Sequence, residues 1–148
     1  RRSSDLVKFK REVVNNDPRE KGLRKILNFG HTVGHAVESY FLNSGNRIFH
    51  GEAIAIGMMA EAFIAWKKNL LTESELAQIT EYLKQTYSVV TLPPDRSSIL
   101  ELMSQDKKNR NTKILMALTE GIGRAKWDVE VSQKEIEASL DYYQSCYT

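Results

Sequence analysis

Leu23-Arg24-Lys25-Ile26-Leu27-Asn28-Phe29-Gly30-His31-Thr32-Val33-Gly34-His35-Ala36-Val37-Glu38-Ser39-Tyr40-Phe41-Leu42 places Ile26, Leu27, Val33, Val37 and Tyr40 at spacings of three, four and seven. That periodicity predicts a helix over 23–42 with one apolar face. Its glycines are unusual, because each costs about 1 kcal/mol relative to alanine in a helix interior. At Gly30 and Gly34 something must offset that cost, and close approach of another backbone is the expected reason.

The next apolar stretch, Ala53 to Trp66, lies in a helix predicted over 51–69 whose first four turns are apolar on nearly every side. Such a helix belongs in the middle of a domain. The stretch carries Glu61 and falls short of the roughly 20 residues that a membrane helix needs. Asn43-Ser44-Gly45-Asn46 forms the turn between the two helices. Upstream, Ser3 or Ser4 can cap a helix running to about Asn15, which Asn15-Asn16-Asp17-Pro18 stops. Downstream, Thr72 with Glu75 is a capping box opening a helix to about Tyr87, and Pro93-Pro94-Asp95 precedes another to about Gln105. Asp106 to Thr112 reads as a polar, basic loop. Ile114 to Leu118 and Ala125 to Val131 read as two strands flanking Glu120-Gly121-Ile122-Gly123, a hairpin. Ser132 with Glu135 is a second capping box, opening a terminal helix to about Tyr143. The fold class is therefore mainly α: a single domain over 1–148 of about six helices and one short β-hairpin, without the Gly-rich phosphate loop of a nucleotide-binding sheet.

Composition agrees with one soluble domain: 148 residues, 41% hydrophobic, 27% charged, with Gly 8, Pro 3 and Cys 1. Collagen, a disulfide scaffold and a disordered tail are excluded. The lone Cys146 suits a reducing compartment, so a cytoplasmic location is expected. The net charge of +2 is spread in alternating signs, which indicates neither nucleic-acid nor membrane binding. The chain opens Arg1-Arg2-Ser3-Ser4-Asp5, with neither a Met nor a signal-peptide region, and reads as a piece of a longer protein.

All three histidines fall within twenty residues: His31, His35 and His50. His31 and His35 stand one helical turn apart and project from one face. Imidazole is a common ligand for Zn²⁺, although an i, i+4 histidine pair is often no more than a surface accident. Arg24, Asn28, His31 and His35 follow at intervals of four, three and four, so a continuous helix would line up a cation, an amide and two imidazoles. A guanidinium can fork onto a carboxylate or phosphate, an amide can donate to an anion, and imidazoles can ligate metal or move protons. His50, before the apolar helix, either converges with His31 as a ligand or is a helix-start histidine. The order His-Thr-Val-Gly-His lacks the glutamate base of the metalloprotease helix motif, so peptide hydrolysis is not expected.

Gly22-Leu23-Arg24-Lys25-Ile26-Leu27-Asn28-Phe29-Gly30-His31-Thr32-Val33-Gly34-His35-Ala36-Val37-Glu38, followed by His50-Gly51-Glu52-Ala53-Ile54-Ala55-Ile56-Gly57-Met58, closely resembles the core of 3-dehydroquinate synthase. Asp106-Lys107-Lys108-Asn109 and the Ile122-Gly123 turn come in the order of that family, and the resemblance covers nearly the whole chain. It implies the helical, metal- and substrate-binding C-terminal domain of a shikimate-pathway lyase of aromatic amino acid biosynthesis. Such enzymes convert 3-deoxy-D-arabino-heptulosonate 7-phosphate into 3-dehydroquinate and phosphate, using NAD that is oxidant and then reductant within one turnover. They also use a divalent metal, Zn²⁺ or Co²⁺, that acidifies substrate hydroxyls.

Position by position, the resemblance implies His31 and His50 as metal ligands, with His50 also beside the substrate, and His35 and Glu20 as proton-transfer groups. Lys10 and Arg24 fall on the substrate carboxylate side. Asn28 and a lysine of the 107–108 pair, Lys107 by preference, fall near the phosphate. A third metal ligand, a glutamate, and the NAD site would come from an N-terminal NAD-binding domain absent from this chain. The isolated chain is then expected to be inactive, and the full-length protein to be a homodimer. Another sugar-phosphate cyclase, such as a 2-deoxy-scyllo-inosose synthase, and a non-catalytic helical module are the alternative readings. Lys10 and Arg24 together favour a carboxylate-bearing substrate.

Overall fold

A computed structural model describes residue 8 and residues 11–19, 22–105 and 113–148; the side chains of Leu23 and Arg24 are outside that description. The order is α1 (residues 11–16), a 3₁₀ helix (Leu23–Asn28), α2 (His31–Asn43), α3 (His50–Lys67), α4 (Glu73–Thr86), α5 (Ser97–Gln105), β1 (Ile114–Thr119), β2 (Ala125–Val131) and α6 (Gln133–Ser145). The mainly helical architecture with one hairpin is as the sequence predicts. No helix among the described residues is long and apolar enough to cross a membrane.

Helix α3 is the central rod. Ala53 through Gly57, Met59 through Ala62, Ile64 and Ala65 are all buried, so the helix is covered on every side. It packs on α2, α6, α4 and β1, and one apolar cluster joins Val33, Val37 and Phe41 of α2 to Ile56, Met59 and Ile64 of α3 and to Ile136, Leu140 and Tyr143 of α6. Removing side chains of this size from water is worth roughly 1.5–3 kcal/mol each, which makes this packing the main source of stability.

The chain does not run as one helix over 23–42. Residues 23–28 form a 3₁₀ helix, and Gly30, at φ 83°, turns the backbone left-handed before α2 starts at His31. Two contacts with α3 force the break. A Cβ on Gly30 would lie 2.6 Å from Met58 Cγ and 2.9 Å from the Ile54 carbonyl oxygen, while a Cβ on Gly57 would lie 1.9 Å from the Gly30 carbonyl oxygen. Only glycines let the two backbones meet here. Gly30 is thus the N-cap of α2 and not an interior residue, whereas Gly34 is the helix glycine expected: a Cβ there would sit 3.0 Å from the Ala53 carbonyl oxygen.

Thr72–Glu75 forms the full capping box, and Ser132 caps α6 through its hydroxyl, which also donates to Glu135 Oε1. The Thr72 hydroxyl accepts from the Glu75 N–H and the Glu75 carboxylate from the Thr72 N–H, and Ser132 accepts from the Glu135 N–H. Strands β1 and β2 pair antiparallel from Ile114↔Val131 to Thr119↔Ala125, with an irregularity between Met116 and Leu118. The hairpin tip is tied down by Glu75, which also accepts from the Ile122 N–H, and by the Gly121 N–H donating to the Leu70 carbonyl. The middle of β2, at the register irregularity, holds the 3₁₀ helix through a 2.7 Å Lys25–Asp128 ion pair, and Trp127 packs against Gly22 just before it.

Candidate metal and substrate site

His31 is the first residue of α2 and His50 the first of α3; His35 stands one turn beyond His31. α2 and α3 run past each other with Gly30 against Gly57 and Gly34 against Ala53, so the start of α3 comes level with the turns of α2 that follow His31, where His50 meets Glu38 and its ring faces those of His31 and His35. The ring centroids of His31 and His35 are 5.1 Å apart, and each is 5.9 Å from that of His50. One nitrogen from each ring lies within 4.8 Å of the others, and His31 is half-buried while His35 and His50 are exposed. The imidazoles therefore converge across the turn, as the sequence suggested.

Oxygen acceptors hold two of the rings. His31 Nδ1 lies 3.2 Å from the Phe29 carbonyl oxygen, and His50 Nδ1 lies 2.9 Å from Glu38 Oε2. A carbonyl can only accept, so Nδ1 of His31 donates to it, and in a neutral ring this leaves the Nε2 lone pair for a metal; the Glu38 carboxylate selects the same tautomer of a neutral His50. Acceptors of this kind, behind the ring, are what orient imidazole toward a metal. Nitrogens bonded to one zinc at about 2.0–2.1 Å stand at most about 4.2 Å apart, so the donor set fits a borderline dication after slight closure.

Glu61 is the residue that sequence reasoning passed over. It is fully buried on α3 and reaches the start of α2, where Oε2 accepts from the Gly30 N–H at 2.5 Å and Oε1 from the Val33 N–H at 3.1 Å. Gly30 has no side chain to cap the helix, so the cap comes from another element. Burial pushes the Glu61 carboxyl up to about 8, against the N–H groups of Val33, Gly30 and Thr32, which pull it down. The one available signal was a single carboxylate inside an otherwise apolar run. Glu38, at the end of the 22–38 motif, likewise carried no role in the sequence reading.

Of the other candidates, Asn28 ends the 3₁₀ helix three residues before His31. The expected single stripe from Arg24 to His35 does not form. The 3₁₀ segment turns once in three residues and the left-handed Gly30 intervenes, so only His31 and His35 share an α-helical face. Lys10, Glu20, Lys107 and Lys108 lie outside the described residues, as does the side chain of Arg24.

The family model for the 3-dehydroquinate synthase C-terminal domain matches residues 4–109. The chain belongs to this family. A 3-dehydroquinate synthase of Parabacteroides distasonis is 35% identical over 142 residues, which are 95% of this chain and 40% of that protein. One from Syntrophotalea carbinolica is 43% identical over 118 residues, covering 78% of this chain and 32% of that protein. Among solved structures, a 2-deoxy-scyllo-inosose synthase complexed with carbaglucose-6-phosphate, NAD⁺ and Co²⁺ superposes with a TM-score of 0.80 at 28% identity, over 94% of this chain and 39% of that one. A 2-epi-5-epi-valiolone synthase of Streptomyces hygroscopicus with NAD⁺ and Zn²⁺ bound gives 0.70 at 28% identity, over 90% and 37%. The chain thus spans about two fifths of the length of its dehydroquinate synthase-like relatives.

Proposed function

We propose that this chain is the metal- and substrate-binding domain of a 3-dehydroquinate synthase, which converts 3-deoxy-D-arabino-heptulosonate 7-phosphate into 3-dehydroquinate and phosphate. NAD is held by the part of the protein outside these 148 residues. The observation that carries the reading is the convergence of His31, His35 and His50 to within 4.8 Å, in a chain 35% identical to a 3-dehydroquinate synthase.

His31 and His50 hold the divalent ion, Zn²⁺ or Co²⁺, through the nitrogens left free by the Phe29 carbonyl and Glu38. When bound, that cation supplies Lewis-acid polarisation of substrate hydroxyls. His35, one turn along α2 and exposed to the same space, exchanges protons with the substrate, and Glu20 serves the same chemistry from the segment before the 3₁₀ helix. Lys10 and Arg24 bind the carboxylate, and Asn28 and Lys107 the phosphate; a guanidinium fork suits a planar carboxylate, whereas an ammonium meets phosphate as a point charge. A glutamate from outside this chain is the third ligand. The chain alone is therefore inactive and binds metal more weakly than the whole protein, which functions in the cytoplasm as a homodimer.

Turnover of the heptulosonate phosphate and of glucose 6-phosphate by the whole protein tests the reading. We expect release of phosphate from the heptulosonate only, and at least a 100-fold loss on His31→Ala. Consumption of glucose 6-phosphate alone would move the chain to the inosose-forming cyclases. Unchanged turnover and zinc content in His31→Ala would leave the histidines a structural role.

A further inference from the structure

Two glutamates tie α2 to α3 in opposite directions, and the histidine cluster lies between the ties. From α2, Glu38 reaches His50 at the start of α3. From α3, Glu61 reaches back to the start of α2, where it accepts from the backbone N–H groups of Gly30 and Val33. His31 sits between those two donors in sequence, so the carboxylate grips the peptide groups on either side of the first imidazole-bearing residue.

The second tie has no substitute. A buried carboxylate in an apolar helix is unfavourable unless its oxygens are well paired. Here the N-cap residue must be glycine, because φ is 83° and the Ile54 carbonyl would lie 2.9 Å from any Cβ. The usual Ser, Thr, Asp or Asn cap is therefore ruled out at position 30, and the first N–H groups of α2 would be buried without an acceptor. Glu61 lies one turn after Gly57, on the face of α3 where the Gly30 carbonyl touches down. The same face thus sets both how closely α2 approaches α3 and where α2 begins.

We propose that Glu61 is the positioning residue of the histidine cluster: by capping α2 from α3 it fixes where the His31 imidazole stands relative to that of His50. Its consequence for metal binding rests on the site reading above; the placement of the rings does not.

The test compares Glu61→Gln, which keeps shape and one acceptor, and Glu61→Leu, which keeps volume and none, with wild type and with Leu140→Ala as a control that weakens the core away from the site. Ring-to-ring nuclear Overhauser contacts between His31 and His50, and the amide resonances of Gly30 and Val33, are followed in the 148-residue chain. Co²⁺ is then titrated into each sample and its visible d–d absorption recorded.

We expect Glu61→Leu, folded by circular dichroism, to lose the His31–His50 contact and to bind Co²⁺ at least tenfold more weakly. Glu61→Gln should shift the Gly30 and Val33 amides and weaken Co²⁺ severalfold, and Leu140→Ala should change neither reading. Should the Leu variant fail to fold, Glu61→Gln decides. Folded Gln or Leu variants that keep the ring contact, the amide positions and wild-type Co²⁺ affinity overturn the proposal. Co²⁺ binding unchanged by His31→Ala overturns the metal reading instead; where that reading fails, or the chain without its third ligand takes up no Co²⁺, the ring contacts decide the role of Glu61 by themselves.

Discussion

Replacing Gly57 by alanine adds one methyl group where, among the described glycines, a Cβ would meet its neighbours most closely. The new Cβ would lie 1.9 Å from the Gly30 carbonyl oxygen, 2.7 Å from Gly34 N and 2.8 Å from Gly30 C. All three are backbone atoms at the start of a helix, so no side chain can swing aside. Restoring an ordinary contact of about 3.4 Å means moving α2 away by about 1.5 Å, which also stretches the 2.5 Å bond from the Gly30 N–H to Glu61 beyond hydrogen-bonding range. Overpacking of this kind costs about 1–3 kcal/mol. An unmade buried hydrogen bond adds about 1–3 kcal/mol, and the better helix propensity of alanine returns about 1 kcal/mol. The net expectation is a loss of about 1–5 kcal/mol, a large share of the roughly 5–15 kcal/mol that holds a domain together. Urea unfolding at pH 7, followed by circular dichroism, measures it. A Gly57→Ala chain within ~0.5 kcal/mol of wild type would refute the claim that backbone contact between α2 and α3 sets their spacing.

Two further outcomes follow from buried polar groups. Burial raises the Glu61 carboxyl from 4.5 to about 8, so the folded chain favours its neutral form. The stability this contributes is complete below about pH 4.5 and is lost as pH rises toward 8, by at most roughly 5 kcal/mol at about 1.4 kcal/mol per unit. Urea midpoints between pH 5 and 9 should fall with rising pH in wild type and flatten in Glu61→Gln; equal slopes would contradict the assignment. Tyr143→Phe removes the hydroxyl that accepts from the buried Val90 N–H at 3.0 Å, and thermal unfolding should show a loss of about 1–2 kcal/mol, whereas an unchanged midpoint would mean that the N–H finds water.

The parts of the fold that were legible in the sequence are those decided by local chemistry. The all-round apolarity of Ala53–Trp66 marked the central helix, Thr72–Glu75 and Ser132–Glu135 marked two helix starts, and the Gly121–Gly123 turn marked the hairpin. The convergence of His50 with His31 was legible only as a possibility, since it depends on how two helices cross. The break at Gly30 was not legible. Ile26 and Leu27 keep a helix-like spacing with Val33, and 3₁₀ and α segments of six residues share the same apolar pattern. What stops the helix is the approach of Ile54 and Gly57 from 24 or more residues away. Glu61 was passed over for the same reason: its partners are backbone N–H groups, which leave no mark in the order of side chains.

All three imidazoles, both glutamate ties and the glycine contact lie between Gly30 and Glu61, within one helix–turn–helix unit. Contacts so near in sequence cost little loop-closure entropy, so this unit can assemble without waiting for the hairpin or α6. The ligand geometry is in that sense portable. Grafting residues 30–61 between other helices would carry the ring arrangement along, while damage to the distant sheet would lower stability without scattering the donors.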